Sequence, residues 1–253
     1  MRIVIKIGSS TLCEHGNLSH ERMEALTSFI GEFFDNNELI LVTSGAVAAG
    51  HSVVPSLSNK QTAQRQALAA VGQAVLMNRY AELFKPFGIH VAQILITKDD
   101  FENFSRSEHA KVAVNTLLQH KILPIINEND TVVIDELLRG DNDQLSAKVT
   151  YFFDAELLII LSDIDGYYDS NPKTNPNANM HTTIAAIAQE QLEQNATPSD
   201  QFATGGIVTK LKAADFLLKR GKKMFLASGF DLSAAREFLR SGQSQKGTLF
   251  CAK

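Results

Sequence analysis

The chain has 253 residues, 44% of them apolar, and a formal charge of −4 with His neutral. That length suits one large α/β domain or two small ones, and such a domain buries roughly three quarters of its unfolded surface. The slightly acidic balance, with no block of Lys or Arg, argues against nucleic acid as the main partner. The longest apolar runs, such as residues 157–161, are far too short for a membrane span. Arg2-Ile3-Val4-Ile5 reads as a first strand rather than a signal peptide. Cys13 and Cys251 lie at opposite ends of the chain, with neither metal spacing nor a disulfide framework. The simplest expectation is a reduced, cytoplasmic protein.

Residues 2–7 form a short β-rich run that ends in Lys6-Ile7-Gly8-Ser9-Ser10. A strand that stops at Gly-Ser-Ser beside a lysine can offer backbone N–H groups and a cation to phosphate, although an ordinary turn has the same composition. Neither GxxxxGK[ST] nor GxGxxG occurs in the chain. Ser19 opens a helix pattern with apolar residues at Met23, Leu26, Phe29, Ile30, Phe33 and Phe34, a spacing that makes a core face. Residues 39–42 are a second strand, running into Thr43-Ser44-Gly45-Ala46-Val47, where Gly45 permits close backbone approach and Ser44 supplies a hydroxyl. Residues 58–84 are mostly helical, 89–97 a strand, 98–107 an exposed polar loop, 110–120 a helix and 122–126 a strand.

The stretch 125–147 is dense in turn formers: Asn127-Glu128-Asn129-Asp130, then Gly140-Asp141-Asn142-Asp143, just before an apolar-periodic segment over 145–153. One such tetrad is a capped turn. Two of them at the ends of buried elements concentrate carboxylates and amides where an open α/β sheet binds its ligand. Residues 132–134 read as a short hairpin arm between them. Residues 157–161 are a strand apolar on both faces, ending in Ser162-Asp163-Ile164-Asp165-Gly166, and the polar stretch 167–181 reads as a loop or flap. Thr204-Gly205-Gly206-Ile207-Val208-Thr209-Lys210 precedes a helix over 211–220. A strand at 224–227, a helix at 233–239 and a closing strand at 247–250 complete the alternation, which predicts a mostly parallel sheet covered on both sides. The acidic residues Asp163, Asp165 and Asp169 lack the register of a calcium loop. The seven histidines show no metal spacing.

Four strands thus end in turns rich in Gly, Ser or Asp, at Lys6, Ser44, Asn127 and Ser162, and the carboxyl ends of parallel strands gather on one rim. Lys6 and Lys210 would add positive charge there. Phosphoryl transfer needs chiefly positioning and electrostatic stabilisation, so the residues fit a kinase without a P-loop. On these motifs, together with Leu161-Ser162-Asp163-Ile164-Asp165-Gly166-Tyr167-Tyr168, the chain resembles the glutamate 5-kinases of the amino acid kinase family over essentially its whole length. The lysine and Gly-rich motifs are shared with relatives acting on other small molecules; the paired Asn/Asp tetrads are the part that points to glutamate.

The resemblance implies a single three-layer αβα domain, with residues 1–150 on the glutamate and phosphate side and 151–253 on the nucleotide side. It also implies a short form without the C-terminal PUA domain that many relatives carry. It implies that Lys6 holds the outer phosphates of ATP, that Gly8 and Gly45 offer them backbone N–H groups, and that Lys210 offsets charge developing during transfer. Asp143 would hold both lysines in place. Ser44, Asn127, Asp130, Asp141 and Asn142 would form the glutamate pocket. Ser162, Asp163 and the segment Thr204, Gly205, Gly206, Ile207, Val208, Thr209 and Lys210 would form the ATP site. Mg²⁺ would be held mainly by ATP phosphates. A homo-oligomer and feedback inhibition by proline also follow from the resemblance alone. The rival readings are a sister kinase acting on another carboxylate, a carbamate or a phosphate, and a non-catalytic sensing module on the same fold.

Overall fold

The computed structural model describes residues 1–132, 142–170, 172, 174–193 and 206–252. Strand β1 (Arg2–Ile7) sets the plan of the molecule, because its side chains alternate between two separate cores. Ile3, Ile5 and Ile7 enter one core and Val4 enters the other. After β1 come α1 (Ser9–Leu12), the small ribbon β2 (Cys13–Glu14) and β3 (Asn17–Leu18), α2 (His20–Phe34), β4 (Glu38–Val42), α3 (Ala46–Val53) and α4 (Thr62–Phe84). The chain continues through β5 (His90–Ile96), α5 (Lys98–Glu102), α6 (Phe104–Gln119), β6 (Ile122–Glu128), α7 (Asn142–Phe152) and β7 (Leu157–Ser162). The last part contains β8 (Tyr167–Tyr168), β9 (Met180–His181), β10 (Thr183–Ile184), α8 (Gln189–Glu193), α9 (Ile207–Leu218), β11 (Lys223–Ser228), α10 (Ser233–Ser241) and β12 (Thr248–Phe250).

Among the described residues eight strands form one sheet, in the order β10-β12-β11-β7-β1-β4-β6-β5. Every pairing within this sheet is parallel except β11 with β12. The predicted αβα sandwich with a mostly parallel sheet is what the chain forms. Helices α2, α4 and α10 cover the face of Ile3 and Ile5 through Met23, Phe29, Tyr80, Phe84 and Phe238. Helices α5, α6, α7 and α9 cover the face of Val4 through Phe101, Val114, Val149 and Leu211. The chain leaves β1 toward β4 on one side and later returns to β7 on the other. This places a topological switch at the carboxyl ends of β1, β4 and β7, where an open sheet leaves a crevice.

Four sequence expectations change. Residues 98–107 are helical, forming α5 and the start of α6. Their polar side chains are caps: Thr97 and Asp100 form a capping box, and Asn103 accepts from the Arg106 N–H at 3.1 Å. The helix read from residue 145 begins at Asn142, and the helix read from 211 begins at Ile207, so Lys210 lies within its first turns. The stretch 167–181 is closed by β8 pairing antiparallel with β9. The expected hairpin arm at 132–134 falls largely outside the described residues. Cys13 and Cys251 are both free thiols. Among the described residues no helix is long and apolar enough to cross a membrane.

Helices α3 and α4 meet through glycine. A Cβ built on Gly72 would lie 1.7 Å from the Ala46 carbonyl oxygen and 2.4 Å from the Gly50 nitrogen. Replacing Gly72→Ala must therefore push α3 off α4 rather than move a flexible side chain. We expect a loss of about 1–3 kcal/mol, as for an overpacked core, and a fall in Tm of roughly 2–4 °C per kcal/mol in a chain this long, read from a thermal melt.

Candidate active site

Alternation along β1 turns Lys6 toward the layer containing α7 and α9, the same side as Val4. There the Lys6 Nζ meets Asp143 Oδ1 at 2.5 Å, and Lys210 Nζ meets Asp143 Oδ2 at 3.0 Å. The Thr209 hydroxyl donates to the same Oδ2 at 3.1 Å. Asp143 is fully buried, and Lys6 and Lys210 are 6% and 7% exposed. Burial alone would raise the Asp143 carboxyl. The charges of Lys6 and Lys210, and the hydrogen bonds both donate, outweigh it and hold the group well below the usual carboxylate range. Two ammonium groups thus share one buried carboxylate.

Asn142 precedes Asp143 in the first turn of α7 and faces the ends of β4 and β6. Its side-chain N–H₂ lies 2.7 Å from the Thr43 carbonyl oxygen, 3.0 Å from Ser44 Oγ and 2.9 Å from Asn127 Oδ1. Asn127 is the penultimate residue of β6, on the sheet face opposite to that of Lys6, and its amide N–H donates to Gln73 Oε1 of α4 at 3.0 Å. Behind this row the fully buried Tyr80 phenol lies 2.7 Å from Thr43 Oγ1. Gly45 caps α3 with φ +99°, a left-handed conformation that favours glycine, and a Cβ there would also touch Leu18 at 3.0 Å.

The structure therefore brings Lys6, Asp143, Thr209 and Lys210 into one contact set, and Ser44, Asn127 and Asn142 into a second that adjoins it in sequence. Gly8 follows β1, and a Cβ on it would sit 3.5 Å from Lys6 Nζ. Ser162 ends β7, next to β1, and its hydroxyl donates to the exposed Asp163 at 3.0 Å. Gly206 is the N-cap of α9, with Ile207, Val208 and Thr209 half-buried in its first turn. Asp130 lies half-buried in the turn after β6. Asp141, Thr204 and Gly205 lie outside the described residues. The sequence motifs assign no role to Gln73, to Tyr80, or to Thr43, which they contain. The available signal for Gln73 was a lone amide on the buried Leu68, Gly72, Leu76, Tyr80 face of α4.

The chain matches the model of the amino acid kinase family over residues 1–228. It is 51% identical to the glutamate 5-kinase of Wolinella succinogenes, in an alignment covering 98% of this chain and 97% of that one. The glutamate 5-kinase of Leishmania donovani is 47% identical, with 100% and 95% covered. That of Geobacter sulfurreducens is 42% identical, with 98% of this chain matching 67% of the relative. Among solved structures, the UMP kinase of Ureaplasma parvum superposes with a TM-score of 0.67 at 16% identity, covering 99% and 98% of the two chains. An isopentenyl phosphate kinase superposes at 0.65 and 18% identity, covering 98% and 100%. These structures share the fold, which is the amino acid kinase fold.

Asp143→Asn should remove the negative charge that two buried ammonium groups share, and we expect it to lower the unfolding free energy by about 3–5 kcal/mol at neutral pH. The folded-state value of Asp143 is depressed. Its stabilisation is therefore complete above the unfolded carboxylate value of about 3.9 and is lost as pH falls through the folded value. Urea unfolding of both proteins from pH 7 down to pH 3 should show the gap narrowing only at the acid end. An equal stability at pH 7 would show that the lysines do not depend on Asp143.

Proposed function

We propose, from the premise that this chain belongs to the amino acid kinase family and within it to the glutamate 5-kinases, that it transfers the γ-phosphoryl group of ATP to the side-chain carboxylate of L-glutamate. The product, L-glutamyl 5-phosphate, would open proline biosynthesis. The observation that carries the reading is the buried Lys6–Asp143–Lys210 cluster on the carboxyl rim of the sheet.

The acceptor is a carboxylate of reference pKa about 4.3, already ionised at neutral pH, so the reaction needs no general base. Asp143 suits that chemistry, since a carboxyl held so low by two ammonium groups is a poor proton acceptor. Its work is to aim the lysines. Lys6, leaving β1 beside Gly8, would hold the outer phosphates, with the Gly8 and Gly45 backbones donating to them. Lys210 would neutralise charge building on the transferred phosphoryl and the departing ADP. The difficulty to overcome is repulsion between two anions, and fixed cations in a site without water lower it more than the same charges would in solution.

Mg²⁺ would add further positive charge on the phosphate oxygens of ATP. Both Asp143 oxygens are engaged by lysines, and among the described residues no group of three or more His, Cys, Asp or Glu comes together. Phosphate oxygens and water would thus be its main ligands. Ser44, Asn127 and Asn142, with Asp130 and Asp141, would hold glutamate, Asp130 taking its ammonium group. Ser162, Asp163 and the segment Thr204 to Lys210 would hold the nucleotide. Inhibition by proline, self-association and a cytoplasmic location accompany this reading through the resemblance.

The test is glutamate-dependent ADP release with hydroxylamine trapping of the acyl phosphate, repeated with added proline. Free glutamate should be preferred over aspartate, N-acetylglutamate and UMP, and a preference for any of those would overturn the reading. Lys210→Ala should lower kcat by at least roughly 10²–10³-fold, the scale of losing one transition-state charge contact, in a protein whose circular dichroism is unchanged.

A further inference from the structure

We infer that Gln73 is part of the substrate pocket: its side-chain N–H₂ donates a hydrogen bond to the α-carboxylate of the bound glutamate. The inference rests on the glutamate-kinase reading and adds a residue that the sequence motifs do not contain.

The amide orientation is fixed by a backbone group. The Glu128 N–H donates to Asn127 Oδ1 at 3.0 Å, and so does the Asn142 amide at 2.9 Å. Asn127 must therefore present its N–H₂ to Gln73, and Gln73 must answer with its oxygen, at 3.0 Å. Reversing Gln73 would set two N–H₂ groups against each other. The Gln73 nitrogen is left pointing away from Asn127, in a residue only 7% exposed, and among the described residues it has no hydrogen-bond partner.

A buried donor left unsatisfied carries the full cost of its desolvation, so such groups are rare without a use. Its position gives the use. The amides run in a row from Asn142, which adjoins Asp143 and the lysines, through Asn127 to Gln73. The γ-carboxylate of glutamate has to lie at the lysine end, where the phosphoryl arrives. The other carboxylate then falls toward the far end of the row, where the unpaired donor sits. A neutral donor there binds an anion without competing with Lys6 and Lys210 for the phosphates.

Gln73→Glu separates this role from a structural one. It keeps an oxygen to accept from Asn127 and replaces the unpaired donor with an acceptor that repels a carboxylate. Gln73→Met removes the donor without adding charge. Both should raise KM for glutamate about ten- to a hundredfold, the size of a hydrogen bond to a charged group, with KM for ATP and kcat changed far less. Preference for glutamate over its α-amide, scored as substrates or competitive inhibitors, should fall most in Gln73→Glu. The inference is overturned if KM for glutamate stays put, if KM for ATP rises in parallel, or if glutamate and the α-amide weaken equally. Glutamate turnover by the unmodified protein with unaltered glutamate KM in both variants would remove this inference alone. Absence of that turnover would remove the proposed function and this inference together.

Discussion

Two buried lysines share one buried carboxylate, and the arrangement of the elements around it depends on that sharing. Lys6 comes from the first strand, Asp143 from α7 and Lys210 from α9, with sequence separations of 137 and 67 residues from the aspartate. Desolvating three charges is costly, and their mutual attraction offsets the cost only with good geometry. Both carboxylate oxygens are used, one for each ammonium group. The cluster therefore constrains α7 and α9 to pack against the same face of β1.

The pleat of the sheet divides the site into two chemistries. Even-numbered residues of β1 face the α7 and α9 layer, which sends Lys6 to the ionic cluster. Asn127 lies on the other face of β6 and meets α4, where the partner is a neutral amide. The first turn of α7 joins the two, because Asn142 and Asp143 are adjacent and their side chains diverge. One binds amides and carbonyls and the other binds lysines. A cation-rich cluster thus abuts a neutral, hydrogen-bonding one, separated by a single peptide unit.

The neutral side depends on close helix packing. Gly50 and Gly72 let α3 and α4 approach until backbone touches backbone, which fixes α3, its Gly45 cap and Ser44 relative to Gln73. Tyr80, one further turn or two along α4, presses the Thr43 hydroxyl from behind. Side chains at the rim are thereby held by elements whose own positions are set by steric contact, and rigid support of that kind keeps a binding geometry reproducible.

The amino-acid sequence determined the layers and most of the rim. Continuous apolar runs such as 3–5 and 157–161 mark strands buried on both faces, and helix-period residues such as Met23, Phe29 and Phe33 mark the cover. The turn-forming motifs at Lys6, Ser44, Asn127 and Ser162 gathered on one rim, because carboxyl ends of parallel strands do so whatever their exact order. Polar caps misled where they were read as loop, at 98–107, since capping residues look like turn residues until their hydrogen bonds are seen. Only the tertiary structure decided that Asp143 takes Lys6 on one oxygen and Lys210 on the other, and that Gln73 completes the amide row. Those pairings join residues 54 to 137 positions apart. No local pattern encodes them, because they depend on which strands neighbour β1 and which face each side chain leaves by.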